Sequence, residues 1–238
     1  MKRILWIGLP IALALLAVGF YQAIFVAPVD AAQGNIYRII YYHVPSNIMG
    51  LLFPYVNFVA SIVYLATRNS NPVRAQAADA LALASAEMTL VFVSIGLATG
   101  MLWAKPVWGI WWTWDARLTS SLVLWLIYVS YLLLRRFTAG GQTQTLAAVL
   151  SVFAAVDVPI VYMSIRWWRT QHPSPVFFAG PDAGIDPRMW PAFLWNLAGW
   201  FAWGVLLVAL RYQLERKRQH KAQESALLAL ENNMEAVR

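Results

Sequence analysis

The residues with the clearest chemical potential are two histidines, His43 and His172, because each stands next to or near a proline and follows an aromatic pair. A residue that precedes proline is disfavoured in the α region, so His172 is expected to be extended and to lie where a helix ends. A neutral imidazole at the end of a rigid element is a good metal ligand, and two of them can bind one metal ion from opposite sides. The alternative, in which each histidine caps a helix or hydrogen-bonds a loop carbonyl, stays open at this point.

A tryptophan-rich segment is the second unusual feature, since five of the 13 tryptophans fall within residues 103–114. Indole rings favour the membrane–water interface, but an interfacial belt does not require four tryptophans in seven residues. A helix over 108–115 would bring four side chains to one face through the spacing i, i+3, i+4, i+7: Trp108, Trp111, Trp112 and Asp115. An indole plane of this kind suits a flat apolar ligand such as a porphyrin, and Gly109 would let it approach closely. An ordinary aromatic belt remains the alternative.

The composition indicates that these residues are carried by membrane-spanning helices. Of the 238 residues, 60% are hydrophobic and only 12% are charged, whereas soluble domains average about 25% charged residues. Six apolar stretches reach the length of about 20 residues that a bilayer requires: 5–27, 48–66, 80–102, 118–134, 145–165 and 190–210. The predicted fold class is an all-α integral membrane protein, a bundle of six transmembrane helices with short loops over 1–211, followed by a tail over 212–238.

The distribution of positive charge predicts the orientation of this bundle. Twelve of the 18 Lys and Arg residues fall on the side of the two termini and six on the other side, which places both termini in the cytoplasm. Four spans, an even number, separate His43 from His172, and the segment around Trp108 is two spans from each. All three therefore emerge on the external face, which is the periplasmic face in a Gram-negative bacterium.

The same composition excludes several kinds of function. The chain has no cysteine, so disulfides, thiolate metal sites and Cys-x-x-Cys redox pairs are ruled out. The net charge of +7 is scattered between apolar runs, whereas a nucleic-acid-binding face needs clustered Lys and Arg. No nucleic-acid partner is expected, and the lipid bilayer is the main surrounding.

The stretch Trp108-Gly109-Ile110-Trp111-Trp112-Thr113-Trp114-Asp115 resembles the WWD signature of membrane haem-handling proteins. Together with six spans, Tyr42-His43-Val44-Pro45 and the stretch from Trp167 to Pro173, it makes most of residues 1–212 similar to the cytochrome c maturation protein C, or haem exporter protein C, family. The resemblance implies non-covalent haem, with His43 and His172 as its two axial iron ligands. It also implies a platform for the ring formed by five residues: Trp108, Trp111, Trp112, Trp114 and Asp115.

The resemblance further implies a role in haem export and transfer rather than catalysis. Haem would pass to a periplasmic haem chaperone, and the expected partners also include ABC transporter subunits of the maturation complex and a small membrane subunit. The implied location is the bacterial inner membrane, with the haem site on its periplasmic side.

Two other functions stay open from the sequence. A permease subunit of an ABC-type transporter would use the intramembrane acids Glu87 and Asp157 along a solute path, because charge is costly there and is retained for a function. Alternatively, Glu87 snorkels towards the membrane surface or bonds across helices, and Asp157 makes a structural hydrogen bond at a kink near Pro159. An electron-transfer cytochrome b is a weaker candidate, since its ligands usually face each other within the membrane.

The propionates of haem need cationic or hydrogen-bonding partners, and six external residues are candidates: Arg38, Lys105, Arg117, Arg166, Arg169 and Arg188. The sequence does not rank them, and Arg117 has an alternative partner in Asp115. The tail from Tyr212 onward is expected to be helical, either solvated on the membrane surface or docked on a cytoplasmic partner. The third histidine, His220, lies in this basic tail and is expected to be solvated.

Overall fold

The computed structural model describes residues 2–137, 142–173, 176–177 and 185–236, and its regular structure there is helical. Six α-helices follow one another along the chain: α1 (Lys2–Tyr21), α2 (Ile40–Thr67), α3 (Pro72–Trp108), α4 (Ala116–Phe137), α5 (Thr143–Trp167) and α6 (Trp190–Ala236). Each of the six lies in a segment long and apolar enough to cross a membrane. The predicted fold class, an all-α bundle of six transmembrane helices, is confirmed.

The start of α2 changes the expected setting of His43. A 3₁₀ turn, Asn35–Ile39, leads directly into α2 at Ile40, well before the apolar stretch that begins at residue 48. His43 therefore lies in the first turn of a helix, although it falls outside the six apolar stretches that the sequence defines. Hydropathy detects the most apolar part of a helix and misses its polar, aromatic end. Pro45 stands in the second turn of α2, where it removes one helical hydrogen bond.

Helix α3 forms the centre of the bundle. It is the most buried of the six spans, and it packs against α2, α4 and α6. Its buried face carries small residues at helical spacing: Ala75, Ala78, Ala82, Ala86, Thr89 and Gly96. Small side chains let neighbouring membrane helices approach closely, which strengthens van der Waals packing between them.

The two intramembrane acids have different surroundings. Glu87 on α3 forms an ion pair with Arg211 on α6, whose Nη2 lies 2.6 Å from Oε1. Glu87 thus bonds across helices, which is one of the alternatives that the sequence left open. Asp157 on α5 is buried, and its Oδ2 has no hydrogen-bond partner among the described residues. The structural hydrogen bond expected for Asp157 is therefore not made by this oxygen.

Helix α6 is longer than a membrane span requires. Its 47 residues extend over roughly 70 Å, whereas the hydrocarbon core of a bilayer is about 30 Å thick. Its last turns carry exposed side chains over 221–235, and His220 is exposed beside Glu224. The expected helical tail is confirmed over 212–236. The helix passes residues 211 and 212 without a break, and the division into two domains there stays a prediction.

Candidate functional site

Four helix ends meet at one end of the bundle, namely the starts of α2 and α4 and the ends of α3 and α5. They surround a mostly apolar cavity of about 210 Å³. Its walls include the two conspicuous histidines, members of the tryptophan-rich segment and one cation: His43, His172, Trp103, Trp108, Trp112 and Arg117. The structure thus brings both histidines and the tryptophan-rich segment to one end of the bundle, as the parity of the spans predicts.

His43 and His172 lie beside each other in this cavity. Their ring centroids are 6.4 Å apart and the ring planes are inclined by 33°. Two imidazoles on opposite sides of one metal ion have centroids roughly 6 Å apart, because each metal–nitrogen bond is about 2.0 Å long. The spacing therefore suits a single ion between the rings. In the part of the chain that the structure describes, no group of three or more His, Cys, Asp and Glu residues is placed to hold a metal ion.

The orientation of the His43 ring is set by Thr99 on α3. The Thr99 Oγ1 atom lies 2.9 Å from His43 Nδ1 and 2.7 Å from the carbonyl oxygen of Ile95. Because the hydroxyl proton is donated to that carbonyl, Oγ1 accepts from the Nδ1–H group of the ring. Asn47 Nδ2 lies nearly equidistant from both ring nitrogens, at 3.4 and 3.3 Å, so it is not in line with the lone pair of Nε2. The Nε2 lone pair of His43 is therefore the one available to a metal.

Two glycines on α3, Gly96 and Gly100, leave space for the side chains of His43 and Asn47 on α2. A Cβ atom on Gly100 would stand 3.2 Å from Cε1 of His43, and one on Gly96 would stand 2.4 Å from Oδ1 of Asn47. Real Cβ atoms do not approach a neighbour as closely as the second distance. Glycine at these two positions, one helical turn apart, thus leaves the space in which the Asn47 and His43 side chains lie.

His172 stands in a non-helical segment after α5, which ends at Trp167. Its Nδ1 lies 2.8 Å from the carbonyl oxygen of Pro173. Because a carbonyl only accepts, Nδ1 carries the proton and Nε2 carries the lone pair. Burial, reinforced by the positive charge of Arg117, lowers the pKa of His172 to about 4. The ring is therefore neutral at pH 7, which is the state that ligates metals.

Asp115 joins the tryptophan-rich segment to the segment that carries His172. Its Oδ1 accepts from the backbone N–H of Leu118 at 2.8 Å, which caps the start of α4. Its Oδ2 accepts from the Thr170 hydroxyl at 2.7 Å. Asp115 thus links two loops, whereas the sequence suggested that it ends an indole plane.

The helix over 108–115 that the tryptophan spacing would need is not formed. Helix α3 ends at Trp108, and Gly109 takes a left-handed conformation with φ of 77°, which is the usual way for glycine to end a helix. Trp108 and Trp112 line the cavity, whereas Trp111 and Trp114 are 53% and 76% exposed. Gly109 is not among the cavity residues, so its observed role is to terminate α3. Gly109 is an ordinary signal for the end of a helix, and Asp115 is an ordinary signal for the start of the next. These two signals predict the break correctly, whereas the tryptophan spacing favours a continuous helix across it.

Arg117 is the one of the six external cations that lines the cavity. Its Nη1 donates to the carbonyl oxygen of Val161, and no carboxylate within the described ranges forms a salt bridge with it. The alternative pairing with Asp115 is therefore not seen. Trp112 also lines the cavity, and its buried Nε1 has no hydrogen-bond partner among the described residues. The cavity lining thus includes two side chains that carry N–H donors.

Comparison with known proteins identifies the family. The family model described as Heme exporter protein C matches residues 1–226. The chain belongs to the heme exporter protein C family. It is 34% identical over 207 residues to Heme exporter protein C of Escherichia coli strain K12, a match that covers 87% of this chain and 80% of that protein.

Two further relatives carry the same name. The chain is 33% identical over 227 residues to Heme exporter protein C of Bradyrhizobium diazoefficiens, covering 93% of this chain and 84% of that protein. It is 32% identical over 206 residues to the Haemophilus influenzae protein, covering 86% and 81%. The resemblance seen in the sequence is confirmed, and every residue of the site lies inside the matched region.

The sequence alone did not indicate the residues that surround and support the two histidines. These are Asn47, Gly96, Thr99, Gly100 and Thr170. The two glycines carried a usable signal, since small residues at i and i+4 on an apolar helix mark a close helix contact. The threonines carried none, because hydroxyl residues are common in such segments and only the fold brings them to a ring nitrogen or a backbone amide.

Proposed function

We propose that this chain binds haem non-covalently at the end of the bundle that carries His43 and His172, and that it delivers the haem during c-type cytochrome maturation. Kinship with proteins named Heme exporter protein C supports a role in haem handling. The observation that carries the binding proposal is the 6.4 Å separation of the two imidazole rings. The role is that of a delivery and assembly factor, not of an enzyme.

The donor set favours haem over a simple metal ion. Structural zinc takes four protein ligands, whereas the described part of this site offers two imidazoles. Porphyrin iron receives its equatorial nitrogens from the macrocycle and takes only axial ligands from the protein. The two Nε2 lone pairs supply these axial ligands.

The walls of the cavity match the rest of a haem molecule. Trp103, Trp108 and Trp112 offer aromatic and apolar surface to the ring, and the remaining lining is mostly aliphatic. Arg117 and the free Nε1 of Trp112 offer donors to the propionates, and Arg–carboxylate contacts are among the strongest hydrogen bonds available. The platform is thus built from Trp108 and Trp112, with Trp111 and Trp114 facing outward.

Delivery fits two further features of the chain. Without cysteine it forms no thioether bond to haem, so the ligand is held reversibly. The exposed indoles of Trp111 and Trp114 offer an apolar contact surface next to the cavity for a periplasmic haem chaperone. With both termini in the cytoplasm, the site faces the periplasm from the inner membrane, and ABC transporter subunits and a small membrane subunit are the further partners we propose.

The test is the absorption spectrum of the purified protein from haem-replete cells. We expect bound haem with a six-coordinate, low-spin spectrum, and loss of that spectrum in His43→Ala and in His172→Ala. His220→Ala is the matched control, because His220 is exposed on the far part of α6. A colourless wild type, or a spectrum that both cavity variants leave unchanged, would overturn the proposal.

A further inference from the structure

We propose that Thr170 is a positioning residue that holds His172 at the iron by tying it to Asp115, an inference that rests on the function proposed above. Thr170 does not touch haem in this proposal. Its hydroxyl connects the second axial ligand to the start of helix α4.

The connection consists of three consecutive hydrogen bonds. The backbone N–H of His172 donates to Thr170 Oγ1 at 3.1 Å. The Thr170 hydroxyl donates to Asp115 Oδ2 at 2.7 Å. Asp115 Oδ1 in turn accepts from the N–H of Leu118 at 2.8 Å, which fixes the carboxylate at the first turn of α4.

The two histidines depend on such support to different degrees. His43 lies on α2, and the helix backbone itself sets the position of its Cα atom. His172 lies in the segment 168–173, which has no regular structure. Its Nδ1 bond to the adjacent Pro173 carbonyl selects the tautomer but does not attach the ring to the rest of the bundle.

Within the described residues, the Thr170–Asp115 contact is the hydrogen bond that joins the 169–173 segment to another part of the bundle, the residue that caps α4. Asp115 also ends the tryptophan-rich segment. One carboxylate therefore connects that segment to the segment 169–173, which carries His172. Partners that orient a metal ligand typically change metal affinity 10–100-fold when they are removed. Loss of the Thr170 hydroxyl should therefore free His172 while leaving its ring chemistry unaltered.

The experiment compares two substitutions at one position in the full-length, detergent-purified protein. Thr170→Val removes the hydroxyl at nearly constant shape, and Thr170→Ser keeps it. We expect Thr170→Val to show a mixture of low-spin and high-spin haem and to lose haem to excess apomyoglobin at least tenfold faster than wild type. Thr170→Ser should restore the low-spin spectrum and the slow loss. Thr119→Val is the matched control, because the buried Thr119 hydroxyl on α4 has no hydrogen-bond partner among the described residues.

Asp115→Ser provides a second route to the same bond, in case Thr170→Val folds poorly. Serine still caps α4 but is too short to reach Thr170. We expect the spectrum of Thr170→Val, and a double variant no worse than either single one, since both remove one contact. If His172→Ala loses low-spin haem while Thr170→Val and Asp115→Ser behave like wild type, the positioning role is overturned and the haem proposal stands. If wild type itself binds no haem, the proposed function fails first.

Discussion

Gly100 on α3 lies against the imidazole ring of His43 on α2, so that a Cβ atom on Gly100 would stand 3.2 Å from Cε1 of the ring. The backbone of α3 therefore sets how far the ring reaches into the cavity. A methyl group at this position displaces the ring by a few tenths of an ångström, and a larger side chain displaces it further. The position of the proposed axial ligand is thus coupled to the packing of two membrane helices.

Gly100→Ala should weaken haem binding, and Gly100→Val should abolish axial ligation by His43. We expect a loss of affinity of about tenfold for the alanine variant, the lower end of effects seen when the support of a metal ligand is changed. Haem titration followed by absorption measures it. Ala98→Val on the exposed side of the same helix is the control. Wild-type affinity in both Gly100 variants would show that the ring position does not depend on this contact.

The sequence predicts the helices of this protein better than it predicts the site. Runs of apolar residues report directly on burial in lipid, so all six spans and the shared end of His43 and His172 follow from hydropathy and parity. The tryptophan spacing misleads, because i, i+3, i+4, i+7 has meaning only in a continuous helix and Gly109 ends that helix. The choice of Arg117 among six cations depends on which side chain the fold turns inward, and no local pattern encodes that.

The ion pair between Asp79 and Arg135 should contribute strongly to stability. Both side chains are buried, at 7% and 11% exposure, and Nη2 of Arg135 lies 2.9 Å from Oδ2 of Asp79. Removing one partner leaves an unpaired buried charge, which costs about 3–5 kcal/mol. Arg135→Met should therefore lower the melting temperature in detergent by roughly 10 °C.

The neighbouring Arg136 is exposed, so Arg136→Met should leave the melting temperature within about a degree of wild type. Adding Asp79→Leu to Arg135→Met should recover part of the lost stability, since the double variant has no unpaired charge. Equal melting temperatures for Arg135→Met and Arg136→Met would mean that the pair contributes nothing.

The orientation of the bundle can be measured directly because the chain has no cysteine of its own. Ile110→Cys lies in the exposed turn after α3 and Ser225→Cys in the exposed part of α6. In intact spheroplasts, a membrane-impermeant maleimide should label the first variant, and the second only after permeabilisation. The reverse pattern would contradict the twelve-to-six distribution of positive charge on which the orientation depends.

The role of Arg117 can be separated from that of the histidines by changing the ligand as well as the protein. Arg117→Met removes the cavity cation, and a charged hydrogen bond is worth about 1.5–3 kcal/mol, so haem affinity should fall roughly 10–100-fold. The low-spin spectrum of the haem that still binds should persist, because both imidazoles are intact. Haem dimethyl ester, whose propionates carry no charge, should bind wild type and Arg117→Met with similar affinity.

Arg188→Met is the control for a general effect of positive charge, since Arg188 is 75% exposed and paired with Asp186. Arg188→Met should change neither the affinity for haem nor the affinity for haem dimethyl ester. A loss of affinity in Arg117→Met that is equally large for haem and for its dimethyl ester would mean that Arg117 supports the cavity walls, through its bond to the Val161 carbonyl, and does not bind a propionate. A loss confined to haem would assign the propionate contact to this side chain.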